Sequence, residues 1–209
     1  KQLSNGVCSL NAGEDRLALS CIIFLDADGK ILKHQIAESI IHVTKRLDYP
    51  TVNAALEQDD QKAQAEYQQV LPLLRNMAKL AAILQQKRFA RGAIDFHFPE
   101  TKILMDDNGQ VIGLEKRERH TAEGMIEEFM ILANEVVASH YHRKKMPFIY
   151  RIHEQPDREK CLALNQILAP FGYQLSLRGE IIKPKSFASF LQKTVGKPEE
   201  KMVQTLALR

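Results

Sequence analysis

Two adjacent carboxylates, Glu127 and Glu128, stand inside the otherwise almost wholly apolar run Met125-Ile-Glu-Glu-Phe-Met-Ile-Leu-Ala-Asn134, and no other feature restricts the fold as much. Projected at about 100° per residue, Met125, Ile126, Phe129, Met130, Leu132, Ala133, Val136 and Val137 form one broad apolar arc, the pattern of an amphipathic helix packed on a core. The glutamates fall on opposite flanks of that arc. Glu128 shares its flank with Thr121, Glu135 and Ser139, and this side is expected to face solvent. Glu127 aligns with Glu123, Asn134 and Tyr141, a strip expected to face a site. Thr121 is the predicted N-cap, with Glu123 favourably placed in the first turn.

The rest of the chain reads as α+β, with antiparallel or mixed β-hairpins packed with amphipathic helices. Residues 17–26 and 30–43 are strand-rich and flank Asp26-Ala-Asp-Gly-Lys30. Asp and Gly tolerate positive φ, so this is a strong hairpin signal. Residues 101–105 and 110–118 flank Asp106-Asp-Asn-Gly109 and repeat the same chemistry. Between the hairpins, Val70, Leu73, Leu74, Met77, Leu80, Ala81 and Leu84 follow the spacing of an amphipathic helix, with Pro72 restarting or kinking it. Phe148 to Ile152 reads as a short strand, and Pro156 opens a helix to about Ala169. Pro184 and Pro198 precede two further helices. Residues 172–185 read as a looser surface connection.

Composition excludes more than it identifies. The chain has 209 residues, 44% hydrophobic and 26% charged, enough for one substantial core or two lobes. A formal charge of +3 is too mild to diagnose nucleic-acid binding. No apolar run approaches the roughly 20 residues that span a bilayer, and no signal-peptide pattern is present, so a soluble protein is expected. Cys8, Cys21 and Cys161 are odd in number and widely spaced, which fits a reducing cytoplasm better than a disulfide framework or a zinc ribbon. His140 and His142, two residues apart on a helix, point their rings about 200° apart and are poorly placed to chelate together.

The segment Ile126-Glu-Glu-Phe-Met-Ile-Leu-Ala-Asn134 resembles a motif of the catalytic domain of the ribonuclease II and ribonuclease R family. Leu3-Ser-Asn-Gly-Val-Cys-Ser-Leu10 and Tyr150-Arg-Ile-His-Glu-Gln-Pro156 resemble two further family segments, in family order. Together with Gln204-Thr-Leu-Ala-Leu-Arg209, their form is closer to the ribonuclease R branch. The resemblance implies a processive 3′-to-5′ hydrolytic exoribonuclease acting on the 3′ end of single-stranded RNA, dependent on magnesium in the intact enzyme. The family's magnesium-binding aspartates lie upstream of the first segment and its Thr-Ser-Pro-Ile-Arg-Arg stretch lies downstream of the last. The expectation is therefore that residues 1–209 are a central fragment of that domain, inactive alone and with no metal bound. The rival expectation is a non-catalytic RNA- or protein-binding relative on the same scaffold.

Three residues match family positions. Phe96, in Gly92-Ala-Ile-Asp-Phe96, resembles an aromatic that stacks on bases near the RNA 3′ end; stacking suits a sequence-indifferent enzyme because every base has a π-face. Without the resemblance it reads as a core phenylalanine. Tyr49 resembles a tyrosine near the bound ribose, and otherwise reads as a helix-entry aromatic. Glu127 matches a glutamate associated with ribose recognition, a role in which a carboxylate accepts from the 2′-hydroxyl; otherwise it is a flank carboxylate with a local basic partner. Basic clusters at 87–91, 116–119 and 143–145 are either solvated faces or phosphate contacts.

Overall fold

The computed structural model describes residues 3–94, 100–117, 119–152, 154–177, 179 and 182–208. Its elements are β1 (Asp15–Leu25), β2 (Ile31–His42), α1 (Tyr49–Glu57), α2 (Gln61–Glu66), α3 (Leu71–Ala90), β3 (Glu100–Met105), β4 (Val111–Arg117), α4 (Thr121–Arg143), α5 (Arg158–Leu168), α6 (Pro184–Gln192) and α7 (Glu200–Ala207). This is the expected α+β class. The chain divides into two compact units, Lys1–Gln85 with Arg119–Tyr150, and Gln86–Glu118 with Arg151–Arg209.

Both hairpins are antiparallel and close by the same device. In the first, Asp26 Oδ1 accepts from the backbone N–H groups of Asp28 at 3.0 Å and Lys30 at 2.8 Å. In the second, Asp106 Oδ1 accepts from Asn108 at 2.9 Å and Gln110 at 2.8 Å. Gly29 and Gly109 take the left-handed conformation, at φ 69° and 77°, that closes each turn. Each hairpin has a register shift near its turn, between Phe24 and Leu25 and between Leu104 and Met105.

The first unit's core gathers Val52 of α1, Tyr67, Leu74 and Ala81 of α3, and Ala122 and Met125 of α4. Pro72 stands in the first turn of α3, where the missing N–H costs nothing. The Tyr67 hydroxyl donates to Asp48 at 2.9 Å, and Asp48 also caps α1 by accepting from Thr51 N. The second unit's core joins Cys161, Leu164 and Leu168 of α5 to Phe187, Phe190 and Leu191 of α6 and to Val203 of α7. Asp157 caps α5, one residue beyond the Pro156 that signals it.

Three expectations are corrected. Residues 148–152 form no strand. The alternating Phe148 and Tyr150 rings, which imitate a strand pattern, instead pack on one another and on the end of α4, where Phe148 lies flat on Tyr141 at 4.6 Å. The described part of residues 172–185 is no loose surface connection, because Tyr173, Leu175 and Ile182 enter the core. Thr121 does not cap α4; it is the first helical residue, and the cap position, His120, makes no side-chain cap bond.

Candidate nucleic-acid interface

Helix α4 begins with backbone donors that its own cap residue does not satisfy, as any helix start requires. Helix α1 supplies the missing acceptors. Glu57 Oε1 accepts from Thr121 N at 2.7 Å and its Oε2 pairs with the His120 ring at 3.1 Å. Asn53 Oδ1 accepts from Ala122 N at 2.8 Å, while Asn53 Nδ2 donates to Glu123 Oε2 at 3.0 Å. Hydrogen bonds from Thr121, joined by the His120 ring, hold the Glu57 carboxyl below its ordinary range despite partial burial.

This ladder ties α1 to the start of α4. Moving from Glu57 to Asn53 on α1 corresponds to moving from Thr121 to Glu123 on α4, so the two helices run in opposite directions along it. One turn further on each helix are Tyr49 and Glu127. Tyr49 is 42% exposed at the first position of α1. The Glu127 side chain is 41% exposed and ion-paired through Oε2 to Arg119 at 2.8 Å. The local basic partner of the bland reading therefore exists, and it also orients the carboxylate. Phe96 lies outside the described residues.

The assignment of Glu128 to solvent is overturned, since Glu128 is only 3% exposed. The apolar arc and the buried arc of α4 do not coincide. Burial is centred on Ala122, Met125 and Val136 and extends to Glu128, while Ile126 and Met130, toward the other end of the apolar arc, are exposed. The projection places residues correctly relative to one another; neighbouring elements decide which arc they cover.

The two histidines of α4 diverge as their spacing requires. His140 Nδ1 lies 2.8 Å from His34 Nε2 of β2, and His142 packs edge-on to Tyr150. Burial, with Lys144, His34 and Arg143 nearby, pushes the His140 imidazole below its ordinary value. Among the described residues no three His, Cys, Asp or Glu side chains converge to hold a metal. The described residues therefore do not fit a magnesium centre, and no step at a phosphate is assigned to them. No described helix is long and apolar enough to cross a membrane.

Asn53 and Glu57 carry no sequence signal that marks them as partners of α4, since their contacts lie about seventy residues away in the chain. Comparison with known proteins places this geometry in context. The model of the RNB domain matches residues 1–209. The chain is 39% identical to ribonuclease R 1 of Lactococcus lactis over 209 residues, all of this chain and 26% of that protein. It is likewise 39% identical to ribonuclease R of Thermotoga maritima, again over its whole length and 29% of the relative. Its fold matches RNase R of Mycoplasma genitalium in complex with ribose methylated single-stranded RNA, at a TM-score of 0.90 and 28% identity, covering 100% of this chain and 32% of that one. The chain thus spans little more than a quarter of the curated relatives it matches.

Proposed function

The chain belongs to the RNB-domain family, and on that premise we propose that it forms part of the RNA-holding wall of a processive 3′-to-5′ exoribonuclease of the ribonuclease R type, working in the cytoplasm on single-stranded RNA 3′ ends and releasing 5′-nucleotides. The observation that supports this most directly is the edge of α4 on which Arg119 holds Glu127, while the ring of Tyr49 is exposed at the start of α1, the helix bonded to the start of α4. A carboxylate held by a guanidinium is pre-oriented and accepts a 2′-hydroxyl proton at little entropic cost. Tyr49 adds an apolar ring with a polar tip beside the same sugar. The resemblance assigns Phe96 a separate role, stacking on a base near the RNA end.

Magnesium, in this reading, is held by carboxylates outside the described residues, and the 209-residue chain by itself does not cleave RNA. Incubation of the chain with single-stranded RNA and magnesium is expected to leave the RNA intact; stepwise shortening that follows the purified protein refutes this part. The non-catalytic relative is the less favoured reading, because the curated proteins matched at 39% identity are ribonucleases R.

The decisive experiment places the chain within a ribonuclease R in exchange for the corresponding segment. Degradation of RNA and DNA oligomers of one sequence is then compared for Glu127→Ala and Tyr49→Ala at a single salt concentration. Removing an acceptor for the 2′-hydroxyl penalises RNA and leaves DNA nearly untouched, so the ratio moves as well as the rate. Equal losses on both substrates would mean that Glu127 supports only the fold, through Arg119.

A further inference from the structure

A groove of about 400 Å³ opens in the second unit between α6 and residues 174–176. Two periodicities build its walls. On α6, Ser186, Ser189 and Phe190, with Lys193 at its C-cap, recur at the three- and four-residue spacing that puts them on one face. Opposite, Tyr173 and Leu175 enter the core, and the alternate residues Gln174 and Ser176 line the groove. Asn165 stiffens this wall by bonding both backbone groups of Leu175, accepting from its N–H at 2.7 Å and donating to its carbonyl at 2.9 Å. Lys183 and Lys185 reach in from the start of α6. The latter is positioned by Gly92, whose backbone lies so close that a Cβ there would sit 2.5 Å from Lys185 N.

The lining is chemically one-sided. It contains three lysines and, among the described residues, no carboxylate. The hydroxyls of Ser176, Ser186 and Ser189 and the amide of Gln174 make no hydrogen bond to another described residue. Phe190 forms the floor but is buried, so no ring is offered for stacking. Converging donors with a cationic rim and no aromatic platform match an acceptor-only anion, and they recognise it without reading a base.

We propose that this groove binds a phosphate group. The inference does not depend on the exoribonuclease reading, since the group is supplied equally by a small phosphate compound or by the backbone of a nucleic-acid strand. The test uses the full 209-residue chain labelled with nitrogen-15 and titrated with inorganic phosphate at constant ionic strength. Saturable shifts are expected at the amides of Ser176, Ser186 and Ser189. The triple variant Lys183→Gln, Lys185→Gln, Lys193→Gln should bind at least about tenfold more weakly, the loss of three exposed charge contacts. Its thermal midpoint should not move, because all three side chains are exposed. Were that variant to unfold early, Lys193→Gln alone takes its place, with weakening of about threefold expected. A parallel titration with a uridine hexanucleotide identifies the source: saturation of these amides at lower concentration than inorganic phosphate marks strand backbone, and weaker binding marks a small phosphate compound. Shifts that miss these amides, spread evenly over the lysine-bearing surface, or survive the substitutions overturn the proposal.

Discussion

Replacing Asn53 by alanine removes one side chain and disturbs two helices. Ala122 N, only 2% exposed as a residue, loses its acceptor at 2.8 Å and has no water to replace it. A buried donor left unsatisfied costs about 1–3 kcal/mol, and loss of a helix-start acceptor taken alone costs about 1 kcal/mol. These overlap, because they describe the same bond. Glu123 also loses the Asn53 amide but is half-exposed and regains water, so it adds less. The expected total is about 2–3 kcal/mol, or roughly 5–10 °C in melting temperature for a chain of this size. Because two compact units need not melt together, the measurement is amide exchange at Ala122 and its neighbours alongside a thermal melt. Asn53→Asp separates the two bonds. It keeps the acceptor for Ala122 N but sets a carboxylate about 3.0 Å from Glu123 Oε2, so it should destabilise at neutral pH and recover in acid. A loss below about 0.5 kcal/mol for Asn53→Ala, the scatter of ordinary surface substitutions, with exchange at Ala122 unchanged, refutes the account.

Glu57 is held below the ordinary carboxylate value of 4.5, so its contribution to stability is complete above that pH and is lost as pH falls through the lowered value; Glu57→Gln should flatten acid unfolding in that window, as followed by circular dichroism against pH. Glu128→Ala should destabilise the first unit more than Glu127→Ala does, in denaturant titrations of both, because only Glu128 is buried. Gly92→Ala should cost at least about 1–3 kcal/mol by thermal melt, since φ is 103° and the new Cβ would meet the backbone of Lys185.

What was legible in the sequence was what short segments decide for themselves. Asp26 with Gly29, and Asp106 with Gly109, hold their turns by bonds within four residues, so both hairpins were readable. The existence of α4 was readable from its apolar period. The face it buries was not, because a helix wheel fixes azimuths between residues while the packing partners choose the buried side, and here they take in Glu128. Tyr173 and Leu175 went unread because their alternation occurs in a stretch with no strand partner, held instead by Asn165. Of the site, Glu127 and Tyr49 were singled out by resemblance, but the joining of their helices rests on Asn53 and Glu57, two residues whose partners only the folded chain reveals.

The bridging acceptors of α1 also give the helix pair a direction in time. Asn53 and Glu57 precede Ala122 and Thr121 by 69 and 64 residues. At roughly 5–20 residues per second of synthesis, they emerge about 3–14 s before the donors they serve. Hairpins and helices form within microseconds, so β1–β2 and α1 have ample opportunity to form while α4 is still being made. The first turn of α4 thus meets waiting acceptors as it appears, and a ribosome pause between residues 57 and 121 delays its completion without leaving a half-built helix exposed.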